Sequence, residues 1–183
     1  MKIGGGAFRE CTEIEEIVLP DGITEIGSGA FSRCIKLRKI NMPKSLKILG
    51  SGDYDPCDDW YASWYGTVGV FAGCDMKEIK LPSSLEIIGE YAFSYCPFET
   101  VVLPDSVKTI EANAFYEADA IKSLTVPKSV EFIGEGNFGT VDRYYTVDLE
   151  TVYYLGTRQE FWDKLGDPES YFGDTNAVMV YAE

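Results

Sequence analysis

The stretch Ile26-Gly27-Ser28-Gly29-Ala30-Phe31-Ser32-Arg33-Cys34-Ile35-Lys36-Leu37-Arg38-Lys39-Ile40-Asn41-Met42-Pro43 decides the fold, because its apolar and punctuating residues return in the same order along the chain. The prolines give the ruler. Pro20, Pro43, Pro82, Pro104 and Pro127 are separated by 23, 39, 22 and 23 residues. A fixed period in the twenties marks a solenoid built from one supersecondary unit per coil. The 39-residue interval holds one unit plus an insertion.

The flanks of the prolines keep the same register. Six residues before them stand Ile14, Leu37, Met76, Phe98 and Ile121, and three before stand Ile17, Ile40, Ile79, Val101 and Leu124. One before stand Leu19, Met42, Leu81, Leu103 and Val126. Three after come Ile23, Leu46, Leu85, Val107 and Val130, and six after come Ile26, Leu49, Ile88, Ile110 and Ile133. A further column is aromatic: Phe8, Phe31, Phe71, Phe93, Phe115 and Phe138. Three residues beyond its first four members lie Cys11, Cys34, Cys74 and Cys96, with Ala118 and Val141 completing the column.

Positions three and one before proline face inward and the position between them faces out, as a short strand requires. Stacked coils join these strands into a parallel sheet, and proline, which has no N–H to donate, closes each one. The Gly-x-x-Ala-Phe-x-x-Cys arc reads as a turn or a single helical turn with its Phe packed inside. One coil cannot bury its own apolar columns, so the core exists only between neighbours. The fold class is α/β, a solenoid of short parallel strands with few short helices.

The recurring Ala-Phe-x-x-Cys and Ile-x-Leu-Pro elements resemble the BspA-like leucine-rich repeats, also called the Treponema pallidum type. Glu16-Ile17-Val18-Leu19-Pro20 and Lys80-Leu81-Pro82-Ser83-Ser84-Leu85 carry the resemblance best, and it extends from about Ile3 to Gly156. It implies a right-handed superhelix and a bacterial surface or secreted protein of the kind that mediates adhesion to host proteins or other cells. The family shares no catalytic residues, so none is carried over.

Two regions depart from the repeat. Tyr54 stands where the next aromatic is due, but the matching residue is Phe71, so 17 extra residues fall within about 51–70. Tyr54, Trp60, Tyr61, Trp64 and Tyr65 lie there among Asp53, Asp55, Asp58 and Asp59. Tyrosine and tryptophan offer flat amphipathic contact area, and long loops on repeats often carry function. The candidate partner-binding residues are therefore Tyr54, Trp60, Tyr61, Trp64, Tyr65, Asp58 and Asp59. The competing reading folds these aromatics back onto the coil that bears them. Asp53 and Asp55 open like an EF-hand loop, but Cys57 and Asp58 occupy the third-ligand and glycine positions, so the motif fails.

The second departure begins after Tyr154. Thr157 followed by Glu160 is a capping-box pattern that starts a helix, in which Phe161, Trp162 and Leu165 are expected to face the core. A strand over Ala177–Tyr181 follows. Residues 1–155 are thus assigned to the repeats and 156–183 to a C-terminal cap. No cap precedes Ile3 and Phe8, which already belong to a repeat. The expectation is that the chain continues N-terminally, or that a partner or a second copy covers this open flank.

Composition narrows the functions. The 183-residue chain carries 30 acidic against 16 basic residues, a net charge of −14, and no histidine. Such a chain repels phosphate backbones, so nucleic acid is not an expected partner. Histidine-dependent triads and most transition-metal sites are excluded. No apolar run is long enough to span a membrane, and the start is not a signal peptide. The column cysteines are expected to be buried free thiols; Cys57, in the insertion, is the odd one out and a candidate for reactivity or intermolecular pairing. Asp58 and Asp59 are adjacent and nothing orients them as an acid–base pair, so no enzyme, cofactor or metal is expected. The expected function is a macromolecule-binding or adhesion module, extracellular or at the cell surface, within a longer chain. Its partner would be a host or bacterial surface protein or a glycan, with self-association through the first repeat. The alternative is a passive spacer.

Overall fold

A computed structural model of the chain describes residues 1–51, 69–138, 149–172, 175 and 177–182. All strand pairings within them are parallel. Each regular coil contributes two strands rather than the single one expected before its proline. The more continuous sheet lies after the prolines. Its six strands are β1 (Lys2–Ile3), β3 (Glu25–Gly27), β5 (Ile48–Ser51), β6 (Ile87–Ile88), β8 (Thr109–Ile110) and β10 (Phe132–Ile133), in that spatial order. The second sheet holds the strands before proline and is interrupted. β2 (Glu16–Ile17) pairs with β4 (Lys39–Ile40), and β7 (Thr100–Val102), β9 (Ser123–Val126), β11 (Thr151–Tyr154) and β12 (Val178–Tyr181) form a separate group of four. The coil that bears the insertion supplies no strand here, although Ile79 and Leu81 still pack on the core.

The inward columns behave as their chemistry dictates. Ile26, Leu49, Ile88 and Ile110 are fully buried, as are Leu37, Phe98 and Ile121. The phenylalanines stack ring on ring through the interior, with centroids 5.1 Å apart for Phe8–Phe31, 5.5 Å for Phe31–Phe71, 5.7 Å for Phe71–Phe93, 5.5 Å for Phe93–Phe115 and 5.2 Å for Phe115–Phe138. Offset stacks of this kind add to the gain from area burial alone. Phe71 stands in line with its neighbours, so the insertion leaves the column unbroken.

Polar ladders tie the turns together. After Pro43, Pro82, Pro104 and Pro127 a serine two residues on donates to a carbonyl of the preceding coil: Ser45 to Ile23 at 2.9 Å, Ser84 to Leu46 and Ser106 to Leu85 at 2.6 Å, and Ser129 to Val107 at 2.8 Å. The proline carbonyl meanwhile accepts from the N–H three residues later, as at Pro82–Leu85, 3.1 Å. The cysteine column does the same on the opposite arc. Cys34 Sγ lies 3.1 Å from the Phe8 carbonyl, Cys74 Sγ 3.2 Å from that of Phe31, and Cys96 Sγ 3.1 Å from that of Phe71.

Along that arc the N–H of each phenylalanine donates to the next coil, Phe8 to Ala30 at 2.7 Å and Phe31 to Val70, Phe71 to Ala92 and Phe93 to Ala114 at 2.8 Å. The step after Phe115 differs. Asn137 replaces the small apolar residue, and its Oδ1 accepts from the Phe115 N–H at 3.2 Å. Its Nδ2 donates to the Glu111 and Gly134 carbonyls, both at 2.8 Å. A side chain thus continues a ladder that backbone carbonyls build elsewhere.

Beyond β11 two short helices follow, α1 (Arg158–Leu165) and α2 (Glu169–Phe172). Thr157 caps α1 in a reciprocal box: its Oγ1 accepts from the Glu160 N–H at 3.2 Å, and Glu160 Oε2 accepts from the Thr157 N–H at 2.8 Å. Phe161 and Leu165, one turn apart, face the core. Trp162 does not, contrary to the sequence expectation; it is 42% exposed. One residue past Phe161, it is turned about 100° round the helix axis. Phe172 lies against the end of the phenylalanine stack, 5.5 Å from Phe138.

Candidate interaction surface

The outward residues of the second sheet divide it in two. On its N-terminal pair of strands the face is charged. Lys39 Nζ lies 2.7 Å from Glu16 Oε1 across the β2–β4 register. Exposed pairs of this kind contribute little energy. On the group of four strands the face carries no charge at all. One row runs Thr100, Ser123, Thr151, Val178 and the next Val102, Thr125, Tyr153, Val180, each residue in register with its neighbour. Val102 is 58%, Tyr153 43% and Val178 63% exposed. Four strands set about 4.8 Å apart make this strip roughly 14 Å wide. It is a flat array of methyl, hydroxyl and one aromatic group on an otherwise strongly acidic molecule.

The arc around the phenylalanines presents a second feature. Among the described residues, the positions two before and two after the phenylalanines adopt left-handed backbone, except Gly69 before Phe71. Before Phe stand Gly6, Gly29, Tyr91, Asn113 and Gly136, and after it Glu10, Arg33, Gly73, Tyr95 and Glu117, all with φ between 49° and 73°. Glycine suits such sites and residues with a Cβ do not. Only the Phe93 coil places large aromatic side chains at both. Tyr91 and Tyr95 meet Tyr116 of the next coil edge to face, at 6.0 and 5.9 Å between centroids. The chain returns from the insertion at Gly69, beside this cluster; a Cβ there would overlap the Tyr91 carbonyl.

The tyrosines stand among carboxylates. The Glu90 N–H donates to Glu111 Oε2 at 3.1 Å. Burial, and then the charge of Glu111, push the Glu90 carboxyl above its ordinary value, and burial followed by Glu90 raises the Tyr91 hydroxyl. The thiols of the interior column are protected. Burial raises Cys34 and Cys74, and the fully enclosed Cys96 is pushed up to about 12.

The residues singled out in the sequence as partner-binding, Tyr54, Trp60, Tyr61, Trp64, Tyr65, Asp58 and Asp59, all lie outside the described residues, as does Cys57. The tyrosine cluster is not marked by any motif in the sequence. The strip was legible as the alternating partner of the inward columns, but its Tyr153, Val178 and Val180 belong to the last strands, where proline is missing. Among the described residues no group of three or more histidine, cysteine or acidic side chains is arranged to hold a metal, and no helix is long and apolar enough to cross a membrane.

Comparison with known proteins places these observations. The BspA-type leucine-rich repeat region matches the chain in six copies, over residues 1–61 and 68–159. No curated protein matches. Among solved structures, the Treponema pallidum leucine-rich repeat protein is 26% identical, with a TM-score of 0.55 over 84% of this chain and 65% of its own. A leucine-rich repeat protein of Bacteroides ovatus is 19% identical, with a TM-score of 0.50 over 100% of this chain and 59% of its own. The pneumococcal vaccine antigen PcpA is 18% identical, with a TM-score of 0.60 over 95% of this chain and 43% of its own. The latter two likenesses concern the fold alone. The chain therefore spans less than two thirds of each of these three structures. With its period, its stacked phenylalanines and its six matched repeats, the chain belongs to the BspA-type leucine-rich repeat family.

Proposed function

We propose that this chain is a macromolecule-binding or adhesion module of a bacterial cell-surface or secreted protein, and not an enzyme. The observation that carries this reading is the uncharged strip from Thr100 to Val180, where eight outward residues on four paired strands carry no charge in a chain of net charge −14. A flat apolar and hydroxyl-bearing surface free of like charge lets a protein or glycan approach without the repulsion the rest of the molecule exerts. The insertion aromatics Tyr54, Trp60, Tyr61, Trp64 and Tyr65, with Asp58 and Asp59, are proposed as a second contact element.

Residues 156–183 are proposed to close the array, since α1 and α2 set Phe161, Leu165 and Phe172 against its last coil. At the other end Ile3, Phe8, Ile14 and Ile17 are only partly buried, and this flank is the proposed surface for self-association.

The test is binding to arrays of host matrix proteins, bacterial surface proteins and glycans. The intact chain is compared with Tyr153→Lys and with a form in which Asp53–Val68 is replaced by a short glycine turn. Binding that Tyr153→Lys abolishes at an unchanged melting temperature supports the strip; binding lost only with the insertion moves recognition there. No binding by any form favours the spacer reading and sinks the proposal.

A further inference from the structure

We infer that the Arg158–Trp162 flank of α1 is a binding subsite for a sugar that bears a carboxylate, a sialic or uronic acid unit of a glycan. The inference rests on the reading of this chain as a binding module and deepens it, at a surface separate from the strip.

The helix turns this flank outward. Arg158 and Trp162 stand one turn apart on α1, beside the Phe161–Leu165 face that holds the core. With Gln159 they line an open cavity of about 520 Å³, within the range of about 300–1,000 Å³ usual for small-ligand sites. Trp162 is the one tryptophan among the described residues. The other rings of the cap, Tyr154, Phe161, Tyr171 and Tyr181, meet one another edge to face. Among the described residues the Trp162 indole pairs with no ring, and it is 42% exposed. An indole offers the C–H face of a sugar a flat apolar platform and keeps an N–H for a hydroxyl.

Arg158 is set against both the helix and the charge pattern. A cation in the first turn faces the positive end of the helix dipole, where an acid is favoured. Four arginines are described. Arg9 and Arg33 pair with Glu10, and Arg38 with Glu15 and Asp75. Among the described residues Arg158 alone of the four has no carboxylate partner. The acids of its own helix are engaged elsewhere: Asp163 Oδ1 accepts from Gln159 Nε2 at 2.8 Å, and Glu160 Oε2 accepts from the Thr157 N–H at 2.8 Å. A planar guanidinium with no acid on it is matched by a carboxylate in a two-pronged contact. The bond to Asp163 also fixes the Gln159 amide and leaves its carbonyl oxygen to accept from a hydroxyl.

The three groups thus take a ring face, a carboxylate and a hydroxyl, which one acidic sugar supplies together. An acidic peptide satisfies the guanidinium but brings further negative charge against a chain of net charge −14.

The experiment is NMR titration of the full chain with sialyllactose against lactose, and with the methyl glycoside of glucuronic acid against that of glucose. The reporter is the Trp162 indole N–H resonance, identified by its loss in Trp162→Ala. An acidic sugar is expected to move it and to bind about tenfold tighter than its neutral counterpart; which of the two acids does so names the source. Arg158→Gln is expected to lower that affinity about tenfold while keeping or raising the melting temperature, since it removes a cation from the first turn. Arg158→Lys keeps the charge without the fork and should still weaken binding severalfold. Lys128→Gln removes a cation from the separate cavity that Lys128 lines with Lys164, and is expected to leave affinity within about twofold. No movement of the indole resonance by either acid, equal affinity for acidic and neutral sugars, equal loss from Lys128→Gln, or equally tight binding of a capped glutamate–glycine peptide would each overturn the assignment. A parent that fails in any of these ways, yet binds an array protein through Tyr153, leaves the binding-module reading standing.

Discussion

Asn137 offers the sharpest test of how the coils are held together, because repeat statistics and physical bookkeeping give opposite signs. Its column otherwise reads Ala7, Ala30, Val70, Ala92 and Ala114, so Asn137→Ala returns the coil to the family pattern, a change that commonly stabilises. The structure says otherwise. Asn137 is 4% exposed, and its amide holds the Phe115 N–H and the Glu111 and Gly134 carbonyls. Truncation to alanine leaves the Phe115 donor buried without a partner, which costs about 1–3 kcal/mol, and removes the two bonds to carbonyls at about 0.5–1 kcal/mol each. The expected loss is roughly 2–5 kcal/mol, read as a lower urea midpoint at constant slope. Asn137→Asp separates the roles: it keeps an acceptor for Phe115 but has no N–H for the carbonyls and places a charge beside them, so its cost should equal or exceed that of alanine. A midpoint for Asn137→Ala equal to or above that of the parent would refute the reasoning.

Two further outcomes follow from the interior columns. Phe93→Ala removes a fully buried ring stacked on both sides and is expected to cost about 3–5 kcal/mol, whereas Phe8→Ala, partly buried and stacked on one side, should cost less than half as much; equal midpoints in urea would contradict the stacked arrangement. Cys34, Cys74 and Cys96 should resist maleimide in the native state and react once unfolded. Their folded pKa values are raised, so the native state holds protons that the unfolded chain releases. Their contribution is complete below about pH 9 and is lost as pH rises toward about 12 for Cys96, so the melting temperature should fall across that window.

The solenoid was legible because its inward positions are apolar in every coil and repeat at a period that nothing else in the chain obscures. The sheet after the prolines was not legible for a physical reason. Strands of two residues, such as β6 and β8, are too short to display the alternation that marks a strand. Their identity comes from pairing with residues 22 or 39 positions away. The serine ladder was hidden in the same way, since Pro-x-Ser reads as a local turn until the carbonyl of the previous coil is in view. Trp162 departs from the expectation because Phe161 and Leu165, one turn apart, hold the core face, and Trp162, turned about 100° from Phe161, lies at its margin. Tyr91, Tyr95 and Tyr116 are dispersed over two coils, and nothing in the sequence around them marks them as neighbours.

These divisions bear on where function is recorded. The inward columns, the phenylalanine stack and the ladders of serine, cysteine and backbone together determine the coil, and none of them reaches the outward positions of the strands. Those positions are free to hold anything a short strand tolerates. In the first coils they hold a Glu16–Lys39 pair that is worth at most about 1 kcal/mol. In the last coils they hold exposed valines and a tyrosine whose apolar surface water disfavours. On the arc, tyrosines occupy backbone that glycine would fill at lower cost. A fold that needs none of these choices leaves its outward positions free for the contacts proposed above.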